Sequence, residues 1–231
     1  MSVDHGDLTD VVVRATNVAR TFGSGPGAVV AVHGVSCQVH AGDRIALIGP
    51  SGSGKTTLMH LLAGLDTPTA GAIDWPAIGG HDHLRPGPIA IVFQGPSLLP
   101  PLDVVENVAL PLLLQGVDQR TAGRMALGAL RRLDLESISA KLPEELSGGQ
   151  AQRVAIARVL AGHPQLILAD EPTGQLDHAS GAVVIDALVA AATETGAALI
   201  VNTHDASVAH RLDLCWSMAN GRLNTEATTS C

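Results

Sequence analysis

The sequence predicts an α/β fold organised around a phosphate-binding loop, and three observations predict it. Gly49-Pro-Ser-Gly-Ser-Gly-Lys-Thr-Thr57 fits the pattern G-x-x-x-x-G-K-[ST], with Lys55 and Thr56 in the last two places. The preceding Arg44-Ile-Ala-Leu-Ile48 is short, mostly apolar and bounded by glycine, as a buried strand is, and Thr57-Leu-Met-His-Leu-Leu-Ala63 reads as the first turns of a helix. Further short apolar runs at Ile89–Phe93, Leu166–Ala169 and Ala198–Val201 read as strands separated by segments of helical character.

The chemistry of the loop follows from its backbone. Glycines at 49, 52 and 54 let the chain curl so that successive N–H groups point inward as an anion-binding nest. The following helix adds the positive end of its dipole. The candidate phosphate contacts are therefore Gly49, Ser51, Gly52, Ser53, Gly54, Lys55, Thr56 and Thr57. In this motif the lysine reaches the β- and γ-phosphates and the hydroxyl of Thr56 takes Mg²⁺. A chance glycine-rich turn is the competing reading. Glycine is common here, but lysine occurs only at Lys55 and Lys141, and one of the two fills the required slot.

Composition narrows the function class. The 231 residues suit one α/β domain, and a hydrophobic content of 46% supports a sizeable core. With 14 basic and 22 acidic residues the net charge is −8, which argues against a nucleic-acid surface and against binding anionic lipid by charge. No run of about 18 apolar residues occurs, so direct membrane insertion is not expected. The segment Met1–His5 has neither the basic nor the apolar block of a secretion signal. The three cysteines are odd in number and widely spaced, suiting neither a disulfide framework nor a zinc site, and this points to a reducing cytoplasm.

Taken in order, residues 1–10 are polar and read as loose. Val11–Ala15 and Ser36–Val39 read as strands, with 21–27 as a loop between them. Phe22 lies in that loop, where its ring could stack on adenine or be an ordinary core side chain. Ala72–Trp75 reads as an edge strand. His81 and His83 have the spacing of a metal pair but no third ligand nearby, which favours solvated side chains. The strand Ile89–Phe93 runs into Gln94. Residues 103–135 look helical, with Pro111 kinking or ending the first helix and Thr121–Leu133 forming the second. This helical stretch is the candidate second subdomain.

Leu146-Ser-Gly-Gly-Gln150 is a second helix start, with Ser147 as N-cap and a helix over Gly149–Ala161. Its bare N–H groups make it another anion site. The strand Leu166–Ala169 ends in Asp170-Glu171. Paired carboxylates at that end, beside a phosphate loop, suit a Mg²⁺ ligand plus a base or water-positioning group, although two surface acids would read the same way alone. His204 falls at the same kind of strand end after Ala198–Val201. Asn220-Gly221 between Leu214–Met218 and Arg222-Leu223 signals a type I′ hairpin. No internal repeat, second phosphate loop or coiled-coil stretch is present.

Laid out this way, the chain resembles an ATP-binding-cassette (ABC) ATPase over nearly its whole length. Gly49–Thr57 resembles the Walker A loop, Gln94 the Q-loop, Leu146–Gln150 the LSGGQ signature, Leu166–Glu171 the Walker B strand, Gly174-Gln-Leu-Asp177 the D-loop and His204 the switch histidine. Phe22 falls where the family's adenine-stacking aromatic lies. Gly64–Gly71, Glu106–Pro111 and Leu168–Gly174 are similar to the branch that serves lipoprotein release, macrolide and peptide export, and cell-division signalling. Residues 72–92 are shorter than usual for that branch, which predicts a trimmed sheet edge near Gln94; Ala151 and Gln175 also depart from its usual residues.

The resemblance implies one P-loop NTPase domain over 1–231, with a mixed β core, an antiparallel β edge and a helical subdomain at about 96–162. It implies two copies packed head to tail around ATP, Walker A of one facing Ser147, Gly148, Gly149 and Gln150 of the other. Glu171 then polarises water, His204 orients the γ-phosphate, and Thr56, Gln94 and Asp170 hold Mg²⁺ directly or through water. Gln94 also counts among the catalytic residues, and Asp177 couples the two sites. A separate integral-membrane permease is the implied partner, which puts the chain on the cytoplasmic face of the cell membrane. The rival within the family is an ATPase that regulates a membrane partner without moving substrate, as in cell-division signalling. A soluble DNA- or ribosome-directed ATPase is disfavoured by the acidic balance and the single cassette. A GTPase is disfavoured because no Asn-Lys-x-Asp motif occurs.

Overall fold

The computed structural model describes residues 10–225. The residues before Asp10 that read as loose, and Cys231, lie outside that range. Two sheets carry the architecture. β1 (Val11–Phe22), β2 (Val29–His40) and β4 (Ala70–Asp74) form a three-stranded antiparallel sheet in the order β2-β1-β4. β3 (Arg44–Ile48), β5 (Ile89–Val92), β6 (Leu166–Asp170), β7 (Ala198–Asn202), β8 (Leu214–Ala219) and β9 (Arg222–Asn224) form the second, in the order β5-β6-β7-β3-β8-β9. Its pairs are parallel except for the β8–β9 hairpin.

The apolar runs read as strands are those of the mixed sheet, and the reason is burial on both faces. Side chains alternate sides along a strand. Leu166, Leu168, Ala198 and Ile200 accordingly join the core beneath α1 (Lys55–Leu62) and the antiparallel sheet. Ile167, Ala169, Leu199 and Val201 face the opposite way. There they pack with α2 (Val104–Leu114), α3 (Gln119–Arg132), α4 (Gly148–Ala161) and α5 (His178–Thr195). A short α6 (Ala206–Ala209) follows β7.

Several boundaries differ from the sequence reading. β1 and β2 are each 12 residues long, so Phe22 is the last residue of a strand, paired with Val29, and not part of a loop. The weak alternation of β1 hid its length, because register shifts interrupt the pairing with β2. Pro111 does not end α2 but lies inside it, and the helix runs on to Leu114. The capping box of Asp103 and Glu106 holds that helix start, and buried Asn107 donates to the carbonyls of Leu99, Leu102 and Asp103. The 18-residue α5 occupies a stretch where the sequence analysis predicts no element; its small apolar residues are spread around the helix and blur the periodicity.

The Asn220-Gly221 turn has positive φ at both residues, 50° and 74°, as a type I′ hairpin requires. His81 lies edge-on to Trp75, with ring centroids 5.8 Å apart, and no group of three or more metal-ligating side chains forms among the described residues. Cys215 is buried in β8. Burial pushes the Cys37 thiol up to about 12, which leaves it an inert core group. Among the described residues no helix is long and apolar enough to cross a membrane.

Candidate functional site

The C-terminal ends of β5, β6, β7 and β3 lie side by side, and the candidate residues sit on them or just beyond. Gly49 leaves β3 at φ 148°, and Gly54 caps α1 at φ 103° in the left-handed region. A Cβ at Gly54 would run into the carbonyl oxygen of Ala31, and one at Gly49 into that of Met218. The loop is thus pressed against the β2 and β8 backbones, and only glycine fits at these two points. Lys55, 6% exposed, points back along the loop, its Nζ donating to the carbonyls of Gly49 at 2.8 Å and Pro50 at 3.0 Å. Buried Ser53 has a hydroxyl with no partner among the described residues. A polar atom of this kind inside a ring of backbone N–H groups suits an anionic ligand.

Next to the loop, Thr56 Oγ1 donates to Asp170 Oδ1 at 3.3 Å. Glu171 follows at φ 45°, a left-handed conformation rare for a residue with a side chain and common where function holds it. Its main chain is fixed from two sides. The Glu171 N–H donates to Asn202 O at 3.0 Å, and its carbonyl accepts from Gly174 N–H at 3.0 Å. Its carboxylate stands between two neighbours, with Gln94 Nε2 3.5 Å from Oε2 and His204 Nδ1 3.6 Å from Oε1. The structure therefore gathers Thr56, Gln94, Asp170, Glu171 and His204 at one edge, although 114 residues separate Thr56 from Asp170 in sequence.

A groove of about 320 Å³ opens beside this edge, lined by Glu171, Asp177, Thr203, His204 and Arg211 among others. Asp177 caps α5, and hydrogen bonds from the Ser180 backbone and hydroxyl hold its carboxyl below the usual range. Asp205 caps α6, and its carboxyl is lowered by the side chain and backbone of Ser207.

Two predicted groups stand apart from the cluster. Ser147 and Gln150 form a reciprocal capping box, Ser147 Oγ accepting from Gln150 N–H at 3.2 Å and Gln150 Oε1 from Ser147 N–H at 3.0 Å. The N–H of Gln150 is thus not bare; those of Gly148 and Gly149 find no acceptor among the described residues. No hydrogen bond joins this helix start to the Walker A loop within the described chain. Phe22, 43% exposed, is not a core side chain. The Arg20 guanidinium lies over its ring at 4.5 Å, held in turn by Asp66 at 2.8 Å. One face of the ring is covered by a cation, as cation–π stacking favours. Trp75 and Trp216 are buried, so among the Phe and Trp rings of the described residues only Phe22 and Phe93 are accessible.

Two residues of the site go unread in the sequence analysis. Gln152 on α4 is 3% exposed and donates to Phe93 O and Pro172 O, both at 3.1 Å, tying α4 to the backbone just before Gln94 and just after Glu171. Asn202 ends β7, and its side-chain amide donates to Asp170. The available signal was the same for both: a polar side chain at a position whose neighbours in the element are buried.

The model of the family described as "ABC transporter" matches residues 32–174. The lipoprotein-releasing system ATP-binding protein LolD of Legionella pneumophila (strain Paris) is 40% identical over 94% of this chain and 98% of its own length. The LolD of Ruegeria pomeroyi is 38% identical over 95% of this chain and its full length. Among solved structures, the dimeric post-hydrolysis state of the ATP-binding cassette MJ0796 bound to ADP and Pi superposes with a TM-score of 0.84 at 35% identity, covering 92% of this chain and 96% of that one. The cbiO1 cassette of Clostridium perfringens gives a TM-score of 0.81 at 28% identity, covering 93% of this chain and 87% of that one. This chain belongs to the ABC transporter family.

Proposed function

We propose that the chain is the ATP-binding and ATP-hydrolysing subunit of an ABC transporter, acting as a pair of copies on the cytoplasmic face of a membrane and driving a separate permease. The relatives named for lipoprotein release support that grouping. The observation that carries the catalytic reading is the setting of the Glu171 carboxylate, 3.5 Å from the Gln94 amide and 3.6 Å from the His204 imidazole, one residue beyond Asp170. Glu171 takes the proton of the attacking water as general base. His204 orients Glu171 and the γ-phosphate, and Gln94 stands at the other carboxylate oxygen of Glu171.

The donors near the loop are the Thr56 hydroxyl, the Asp170 carboxylate and the Gln94 amide oxygen. These are hard oxygen ligands of the type Mg²⁺ selects. The ion, when bound, neutralises charge on the phosphates. The chain's own contribution is to hold Thr56 and Asp170 together and to keep the Glu171 main chain fixed. Residues 96–162 act as the helical subdomain that carries the second anion site, and Ser147, Gly148, Gly149 and Gln150 meet the ATP of the other copy. Asp177 lies between the two sites in that pair.

Two experiments test nucleotide binding. Lys55→Ala removes a charge-assisted contact worth roughly 1.5–3 kcal/mol, so ATP affinity falls while AMP affinity, which draws little on the β/γ-phosphate contacts, stays near the parent value. Equal ATP affinity in a folded variant, by calorimetry, counts against the loop assignment. Phe22→Ala weakens ATP binding by about 1 kcal/mol, the loss of one stacked ring, and leaves turnover at saturating ATP intact. If titration with a fluorescent ATP analogue gives the same affinity for both proteins, the ring does not stack on adenine.

A further inference from the structure

We infer that Asn202 is a positioning residue for Asp170, and through it for the divalent cation. This inference rests on the reading of Asp170 as a cation-holding group given above. Asn202 closes the run Ala198-Leu-Ile-Val201 and is 2% exposed, so a polar side chain sits at a position that would suit an apolar one. In the parallel register it lies opposite Asp170 of β6 on one side and Leu47 of β3 on the other. Adjacent paired residues project to the same face, and this puts amide and carboxylate together.

The hydrogen bonds are unevenly shared. Asn202 Nδ2 donates to Asp170 Oδ1, the same oxygen that accepts from Thr56 Oγ1. The amide nitrogen is the end facing the carboxylate, since the flipped orientation would set two acceptors against each other. Both donors fall on Oδ1, and Asp170 Oδ2 has no hydrogen bond among the described residues. The carboxylate is thus pinned through one oxygen with the other left open. Asn202 holds the neighbouring residue as well, its carbonyl accepting from Glu171 N–H at 3.0 Å.

The other polar atom of Asn202, its Oδ1, is buried and has no partner among the described residues. A buried acceptor without a donor is unfavourable, and a water from a cation's hydration shell is a donor of the right kind. Outer-shell partners of this sort orient the ligating group before the ion arrives, and removing them costs metal affinity.

The test separates positioning from mere packing. Asn202→Val removes both polar atoms and keeps a side chain that suits a strand; Asn202→Thr has nearly the same shape and restores one hydroxyl donor. Mn²⁺ binding is followed by electron paramagnetic resonance with a non-hydrolysable ATP analogue present, and analogue binding in EDTA is the control. Asn202→Val is expected to weaken Mn²⁺ about tenfold, the low end for an outer-shell partner, with EDTA-condition nucleotide affinity unchanged. Asn202→Thr is expected to recover most of that loss. Parent-like Mn²⁺ affinity in folded Asn202→Val, or equal loss in Val and Thr, overturns the inference; Asn202→Ala replaces Val if Val does not fold. Asp170→Asn is the reference arm. If it leaves Mn²⁺ binding unchanged, the cation reading of Asp170 fails. If it weakens binding while Asn202→Val does not, only the role of Asn202 falls.

Discussion

Replacing Glu171 by Gln is expected to lower ATP hydrolysis by ~10²–10⁴-fold, the range for a positioned acid–base group, while ATP stays bound. The substitution keeps the length and hydrogen-bonding reach of the side chain and removes its basicity. The surroundings predict that the site survives it. The main chain of Glu171 is held by Asn202 and Gly174, neither of which depends on the carboxylate charge. His204 is 3.6 Å from the carboxylate and most of its side chain is exposed, so loss of that contact releases no buried charge. Asp170, Thr56 and Lys55 are untouched. ATP-bound pairs should therefore accumulate with intact nucleotide. Light scattering with Mg-ATP, followed by chromatographic analysis of the trapped nucleotide, measures both. A fall in hydrolysis of only a few fold would show that Glu171 is not the base. Full loss together with loss of ATP binding would show that it has a structural part instead.

How much of this was legible in the sequence depends on whether the information is local. Lys55, Thr56 and the glycines of the loop are read from nine consecutive residues, because strand, nest and helix start are built by neighbours in the chain. Ser147 as an N-cap is equally local, and its capping box with Gln150 follows from the i to i+3 spacing. Strand ends were legible wherever burial on both faces produced an apolar run, as at Leu166–Ala169. Asn202 and Gln152 were not, since what gives them meaning is a partner on another element: 32 residues separate Asn202 from Asp170, and 59 separate Gln152 from Phe93. Phe22 shows the same limit. The sequence suggested the ring but not the strand beneath it, nor the Arg20–Asp66 pair that covers one of its faces. α5 escaped because small apolar residues all round a helix leave little periodicity to read.

Ser147→Arg is expected to abolish hydrolysis in the isolated protein while ATP still binds Walker A. Ser147 and Gly148 are exposed, and nothing lies within 4 Å of a Cβ at Gly148, so this helix start is free to meet another molecule. In the proposed pair a guanidinium there would occupy the space that the γ-phosphate bound by the other copy enters. The substitution also removes the Ser147 cap of α4, a loss of ~1 kcal/mol. Ser147→Ala shares that loss without the bulk, so it should keep much more activity and thereby isolate the steric effect. In the proposed head-to-tail pair the serine meets the partner copy's ATP, so Ser147→Arg and Lys55→Ala chains should complement each other. A mixed pair has one complete site, formed by Walker A of the Ser147→Arg chain and the signature of the Lys55→Ala chain. Activity returns in the mixture if the two sites fire independently. If they fire only together, activity stays low, but ATP should still drive the differently tagged chains to co-purify. Absence of both would mean that the LSGGQ helix start acts within its own chain, and the head-to-tail arrangement would have to be given up.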